Sequence, residues 1–161
     1  MASGVYNQFK TEIMNKEIDL VADTVKVALL DNSHSFDQTA VGWATPDANE
    51  LSSGGGYTTG GAALASKAVT QESTHGKFDA ADVSWTSATF TAYHAVIYDD
   101  TPTSPADPLL CSIDFDGGQQ VTNGTFTIEW AAGGILTITC ASSSPSLNRL
   151  AFRGQRPGPW R

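Results

Sequence analysis

The stretch Ala88–Asp100, ATFTAYHAVIYDD, constrains the fold of this chain more than any other part of it. Read with the period of two that a β-strand has, it is mostly apolar or aromatic on both faces. One face carries Phe90, Ala92, His94, Val96 and Tyr98, and the other carries Thr89, Thr91, Tyr93, Ala95 and Ile97. Both faces must then be covered, so the pattern predicts a central strand with VSWT before it and LLCSIDF after it as its partners.

The residues Asp99-Asp100 and Thr101-Pro102 predict where this strand ends. A proline cannot donate a hydrogen bond to a neighbouring strand, and adjacent carboxylates resist burial. We therefore expect the strand to stop at Asp100 and both carboxylates to stay out of the core.

The composition favours a single domain made of β-strands and many turns. Charged residues make up 16% of the 161-residue chain, below the ~25% of an average globular domain, and Gly, Ser, Thr and Asp are abundant. Helix-forming residues cluster near the N-terminus. There Val5, Phe9 and Ile13 recur at i, i+4 and i+8, which predicts a helix over residues 3–17 with Ser3 as its cap.

Further strands are predicted on both sides of the central one. They are residues 24–30, which alternate as a half-buried strand does, and residues 56–71, 77–87, 108–116, 125–130 and 134–141. Asn123-Gly124 indicates a hairpin turn, and 125–130 is expected to pair with 134–141. Residues 33–56 show no sustained period and predict a long surface loop with aromatic anchors.

These segments together predict an all-β, mainly antiparallel fold with one N-terminal α-helix. Seven or eight strands with regularly spaced turn signals are typical of a β-sandwich or a jelly-roll-like barrel, here over residues 1–141. The composition changes at Ser142, and the Pro, Ser and Arg of residues 142–161 predict a disordered basic tail.

The charges are unevenly distributed along the chain. Residues 1–140 contain all seventeen acidic residues and only five lysines, a net charge of −12, whereas all four arginines lie in the tail. An acidic body repels a phosphate backbone, so binding of nucleic acid is not expected. No signal peptide and no membrane-spanning apolar run is recognisable, so we expect synthesis in a cytoplasm and no membrane role.

The residues that usually carry catalysis form no recognisable motif. There is no G-x-S-x-G, H-E-x-x-H or C-x-x-C sequence, and His34, His75 and His94 lack the spacing of metal ligands. His94 lies on the central strand, where a histidine of the core or of a cross-strand pair is the expected role. The sequence therefore predicts no catalytic residues, no cofactor and no enzymatic activity.

Two acidic clusters and two cysteines leave alternatives open. Asp99-Asp100 and Asp114-x-Asp116 both fall at predicted strand ends, where they would either bind Ca²⁺ at one rim of the sandwich or simply be solvated. Cys111 and Cys140 both fall in predicted strands, and without a secretion signal a buried reduced pair is favoured over a disulfide.

Aromatic and aliphatic residues of the helix and the loop are the candidate partner contacts. They are Val5, Phe9, Ile13, Phe36, Trp43 and Tyr57. An alternative hypothesis makes exposed Trp43 and Tyr57 the sugar-stacking platform of a carbohydrate-binding module.

Four segments of the chain resemble a group of small structural proteins found in the virions of tailed bacteriophages. They are IDLVADTVKVALLDNSHSF, ANELSSGGGYTTGGAALASKAVTQ, FDAADVSWTSATFTAYHAVIYDDT and LLCSIDFDGGQQVTNGTFTIEWAAGGILT, and the resemblance spans roughly residues 5–139. It implies a non-enzymatic protein of the particle that is exposed on the head or the tail, and it brings no catalytic residues. Residues after Ser142 depart from the pattern.

The resemblance leads to the functional hypothesis that this is a virion protein made in the host cytoplasm. The favoured role is a capsid accessory or decoration protein, a homo-oligomer that binds the head lattice through other phage proteins. A tail or fibre component is the alternative from the same source.

Overall fold

The computed structural model describes residues 3–139 of the chain. In this range eight β-strands and one α-helix follow one another. In chain order they are β1 (Gly4–Val5), α1 (Asn7–Asn15), β2 (Val25–Leu30), β3 (Ala62–Ala63), β4 (Ala68–Gln71), β5 (His75–Asp79), β6 (Val83–Asp99), β7 (Leu109–Ile128) and β8 (Leu136–Thr139). The predicted tail 142–161 lies outside the described residues.

The strands form two antiparallel sheets, which confirms the predicted all-β, sandwich-like fold. The large sheet has the order β1-β7-β6-β2-β3, and the small sheet has the order β4-β5-β8. The main core lies between the two sheets and includes Phe9 of α1, Trp85 of β6 and Phe78 of β5. A second apolar cluster covers the opposite face of the large sheet.

The N-terminal helix is shorter than predicted and begins four residues later. Gly4 and Val5 pair with Ser112 and Cys111 of β7 instead of starting the helix. Tyr6, in an extended conformation, then donates its N–H to the carbonyl of Leu110. The prediction that Ser3 caps the helix is wrong, because its hydroxyl accepts the N–H of Asp114 at 3.0 Å.

β6 is the central strand, as predicted, but the predicted alternation of both its faces breaks between Ala92 and His94. β2 and β7 pair with its two edges, and the predicted partner VSWT is the beginning of β6 itself. A register shift between Ala92 and His94 moves the side chains to the other face of the sheet. Ala92 therefore contributes to the main core, whereas Val96 contributes to the second cluster.

The predicted hairpin at Asn123-Gly124 does not exist, because β7 continues through it. β7 pairs with β6 over almost its whole length, from Leu109 opposite Tyr98 to Ile128 opposite Val83. Positive φ angles at Gly117 (128°) and Asn123 (47°) place irregular turns of the backbone inside the strand. Glycine and asparagine tolerate this conformation, and bulges of this kind bend a strand without ending it.

β8 also has a different partner from the predicted one. Leu136 of β8 lies opposite Phe78 of β5, and Ile138 lies opposite Gly76. The segment expected to pair with β8, residues 125–130, is instead the end of β7 and pairs with β6. The predicted strand 56–71 is divided between β3 and β4, which belong to different sheets.

The loop 33–56 covers the second face of the large sheet and makes β2 a fully enclosed strand. Leu30 of β2 packs there with Trp43 of the loop and Tyr98 of β6. The alternation in residues 24–30 predicted a half-buried strand, but Ala28 and Leu30 are as inaccessible as Val27 on the other face.

Asp99 is fully buried, contrary to the expectation for a carboxylate at a strand end. Its Oδ1 accepts the N–H of Thr101 at 3.0 Å, whereas its Oδ2 has no hydrogen-bond donor. The carboxyl group of Asp23 lies beside it, and burial, with this neighbour, raises the pKa of Asp99 to about 6. A buried carboxyl group with a second, half-buried one beside it favours its protonated state.

We expect Val96→Asp to be severely destabilising. Val96 is fully buried in the second cluster, so the substitution places an unpaired carboxylate there, at a cost of several kcal/mol. Val41→Asp, at a side chain that is 46% exposed, is the control and should change stability by less than about 0.5 kcal/mol. Urea denaturation of both variants measures the difference, and equal effects would contradict the burial of β6.

Asp99→Asn should stabilise the protein above pH 6 and flatten its pH dependence. A pKa raised from 3.8 to about 6 in the folded state gives stability that is present below pH 4 and lost as the pH rises through 6. Asparagine imitates the protonated acid, so the gain at pH 7.5 should be on the order of 2 kcal/mol and should vanish near pH 4.

Urea denaturation at pH 4 and pH 7.5 tests this expectation. Asp100→Asn is the matched control, because Asp100 is exposed and only pairs with Lys26, at 2.6 Å. Loss of such an exposed pair should cost less than about 1 kcal/mol. A pH profile of Asp99→Asn parallel to that of the unmodified chain would contradict the raised pKa of Asp99.

Candidate interaction surface

Three of the six predicted contact residues lie together in an apolar groove between α1 and β8. Val5, Phe9 and Ile13 line one wall, and four consecutive residues from Leu136 to Thr139 line the other. The groove has a volume of about 420 Å³, and Lys10 and Met14 complete its lining. We call it the α1–β8 groove.

The apolar stripe of α1 supplies both the floor and the rim of this groove. Phe9 is buried in the main core, Ile13 is half-buried, and Met14 is 77% exposed at the rim. The stripe is therefore wider than the surface that the small sheet covers. Part of a helix face that would ordinarily be buried in the domain is left open.

β8 is an edge strand that carries no protection against pairing. Within residues 3–139 it pairs with β5 on one side only, and the groove runs along its other side. Its sequence, Leu-Thr-Ile-Thr, contains no charge and no proline. Edge strands commonly carry such features because free N–H and C=O groups accept a further strand.

Exposed apolar side chains continue from the groove across the small sheet. Ile138 of β8 is 59% exposed and Val69 of β4 is 56% exposed. Both also line a small cavity of about 60 Å³ together with Phe78 and Leu136. Three of the five large apolar side chains that are exposed in the described residues, Met14, Val69 and Ile138, therefore line these two cavities, and exposed apolar surface is characteristic of interaction sites.

The other three predicted contact residues are not part of this surface, and two of them are core residues. Trp43 is 8% exposed and stacks on Tyr98, with ring centroids 4.5 Å apart and planes at 7°. Phe36 is half-buried and meets Tyr6 edge-on at 5.0 Å. The loop aromatics attach the loop to the sheet, so the expectation that Trp43 presents its ring to a partner is wrong.

Tyr57 is also buried, and its hydroxyl is used inside the domain. The hydroxyl donates to Glu50 Oε1 at 2.6 Å and accepts the N–H of Leu29 at 3.0 Å. Glu50 also accepts the N–H of Gly60, and burial raises the pKa of this carboxyl group. A sugar-stacking platform made of Trp43 and Tyr57 is therefore ruled out, since neither ring face is accessible.

The two acidic clusters do not meet at one rim. Asp114 lies opposite His94, five residues along β6 from Asp99, which is about 16 Å in a strand. Asp100 instead pairs with Lys26. Among residues 3–139 no group of three or more His, Cys, Asp or Glu side chains is arranged to hold a metal ion. The predicted Ca²⁺ site is not formed by these residues.

Cys111 is a buried free thiol, and burial raises its pKa to about 12. This agrees with the expected reduced state of that residue. Cys140, the other member of the predicted pair, lies outside the described residues.

A buried polar cluster that the sequence did not reveal lies on the other side of the large sheet. His34 of the loop meets His94 of β6 edge-on, with ring centroids 5.2 Å apart. Ser112 Oγ lies 3.3 Å from His34 Nε2, and Asp114 Oδ1 lies 3.7 Å from His94 Nδ1. The register of β6 and β7 brings Asp114 to His94, so the predicted cross-strand role of His94 is confirmed.

The cluster has the residue types of a nucleophile and its base, but its geometry suits a structural network. Burial lowers the pKa of His34, and its neighbour His94 lowers it further. Burial likewise lowers the pKa of His94, against the opposing effect of Asp114. Ser112 is almost fully buried and lines neither of the flanking cavities of about 190 and 200 Å³, so its hydroxyl is not presented to a substrate.

Comparisons with models of known protein families, with curated proteins and with solved structures find no match to this chain. A membrane-spanning helix is likewise not found among the described residues.

Substitutions in the α1–β8 groove should distinguish the buried residues of its floor from the exposed residues of its rim by their effect on stability. Phe9→Ala should cost about 3–5 kcal/mol, because it removes a buried aromatic side chain from the core. Met14→Gln, at the exposed rim, should change stability by less than about 0.5 kcal/mol. Thermal denaturation compares the two, and a loss in Met14→Gln as large as that in Phe9→Ala would contradict the division of the groove into a buried floor and an exposed rim.

Proposed function

We propose that this protein is a non-enzymatic structural protein of a tailed-bacteriophage virion. Its role is that of a capsid accessory protein that binds the head lattice as a homo-oligomer and stabilises it. The sequence segments that resemble virion proteins suggest this role, and the α1–β8 groove supplies a surface through which the role is carried out. The groove is the observation on which the proposal depends.

The groove suits a protein partner better than a small ligand or a nucleic acid. Among residues 3–139 its walls are an apolar helix face and a strand edge without a pairing partner, and Lys10 is the one charged residue that lines it. A neighbouring subunit can fill it with apolar side chains and pair its backbone with β8, as in strand addition to a sheet edge. A phosphate backbone would meet a body with a net charge of −12.

Binding of this kind stabilises a shell by linkage. A protein that binds only the assembled lattice shifts the equilibrium towards it by an amount that grows with the concentration and affinity of the protein. Weak contacts suffice, since a homo-oligomer that engages several lattice positions at once gains affinity through avidity. The acidic body then faces solvent and makes decorated particles repel one another.

We expect the purified protein to co-sediment with undecorated capsids of the phage that encodes it and to raise their disruption temperature. Met14→Gln and Ile138→Thr should each weaken binding about tenfold or more, because burying one such side chain contributes roughly 1.5–3 kcal/mol. Both substitutions keep the fold, so the loss would be specific to the groove.

Val41→Thr is the matched control, since Val41 is an exposed apolar residue outside the groove and should retain full binding. Equal binding by all three variants would exclude the groove as the contact. Binding of the unmodified protein to tails instead of heads would favour the alternative tail role. Binding to neither particle part would overturn the proposal.

A further inference from the structure

The α1–β8 groove begins where the described part of the chain ends. Thr139, the last described residue, is itself one of its lining residues. Residues 140–161, which we call the C-terminal segment, follow directly and are therefore tethered at the groove. A tether of this length holds a segment at a high effective concentration beside the surface where it starts.

The C-terminal segment has the chemistry that this surface requires. It contains the apolar residues Leu147, Leu150 and Phe152 within a stretch of six, and it contains four arginines and no acidic residue. Its positive charge is complementary to the described body, in which five lysines face seventeen acids. Apolar side chains for the groove and arginines for a body of net charge −12 are thus combined in one segment.

We propose that the C-terminal segment of the same chain covers the α1–β8 groove, with Leu147, Leu150 and Phe152 against Met14 and Ile138. The composition of residues 142–161 alone predicts a disordered basic tail, because these residues have no apolar period. The groove provides the complementary surface that the sequence could not show. An intramolecular occupant also accounts for an apolar surface and an unprotected strand edge on an otherwise acidic body.

Under the proposed function, the C-terminal segment competes with the lattice for the groove. This competition rests on the proposed function, whereas the intramolecular contact does not. A free copy would keep its apolar surface covered, and a lattice subunit would have to displace the segment. The apparent affinity is then lower than the intrinsic one by the fraction of time that the groove is open. Such competition keeps free copies apart until they reach the shell.

Disulfide trapping in the full-length chain tests the proposal without any capsid protein. Met14→Cys is combined with Ala151→Cys in a Cys140→Ser background, and buried Cys111 is left unchanged. The control pair combines Ala151→Cys with Thr122→Cys, an exposed position of β7 outside the groove. Ala151 lies twelve residues beyond Thr139, and twelve residues span up to about 40 Å, so Ala151 can reach both cysteine positions.

We expect a monomeric cross-linked species that forms at least about tenfold faster with Met14→Cys than with Thr122→Cys. Adding Leu150→Asp and Phe152→Asp should reduce the rate to that of the control. Equal rates for the two cysteine pairs, or a rate that the aspartates leave unchanged, would overturn the proposal. Disulfide-linked dimers in place of monomers would assign the groove to a second copy.

The same aspartate variant separates this inference from the proposed function. If both are right, Leu150→Asp with Phe152→Asp binds undecorated capsids more tightly than the unmodified chain. Selective cross-linking without any capsid binding would support the intramolecular contact and overturn the virion role. Capsid binding through the groove without selective cross-linking would support the virion role and overturn the intramolecular contact.

Discussion

Both faces of β2 and of the second half of β6 are buried, and this constraint determines the rest of the structure. Side chains on both faces exclude water, so the backbone N–H and C=O groups of these strands must find partners within the sheet. β6 meets this requirement by pairing with β2 on one edge and with β7 on the other. Each face then needs a covering layer, which α1 and the small sheet provide on one side and the loop 33–56 on the other.

The sequence predicted the central strand and the all-β class because two apolar faces and frequent turn residues are local signals. It did not predict the continuity of β7, because residue types such as Gly117 and Asn123 are typical both of turns and of bulges. Only the pairing partner decides between the two. A strand as long as β6 offers β7 an uninterrupted partner, so the glycines bend the ladder instead of ending it.

Half of the predicted contact residues lie away from the groove, for a related reason. Apolar residues on a helix signal an amphipathic face, and Phe9 and Ile13 do lie at the groove. Aromatic residues in an irregular loop carry no period, so sequence alone could not tell that Trp43 stacks on Tyr98 or that Tyr57 bonds to Glu50. The His34–His94 contact was equally invisible, because it joins a loop to a strand sixty residues away.

The two layers that cover the large sheet differ in how completely they do so, and among the described residues this difference leaves the α1–β8 groove open. The loop is held by the stacking of Trp43 on Tyr98 and by the hydrogen bond that Tyr57 donates to Glu50. It encloses the second apolar cluster. Within residues 3–139 the small sheet has three short strands, and Met14, Val69 and Ile138 remain more than half exposed beside it. Folding therefore leaves apolar area around Met14 and Ile138 that only another segment or subunit can bury. An exposed surface of this kind favours association, and its position beside a free strand edge also determines the geometry in which a partner binds.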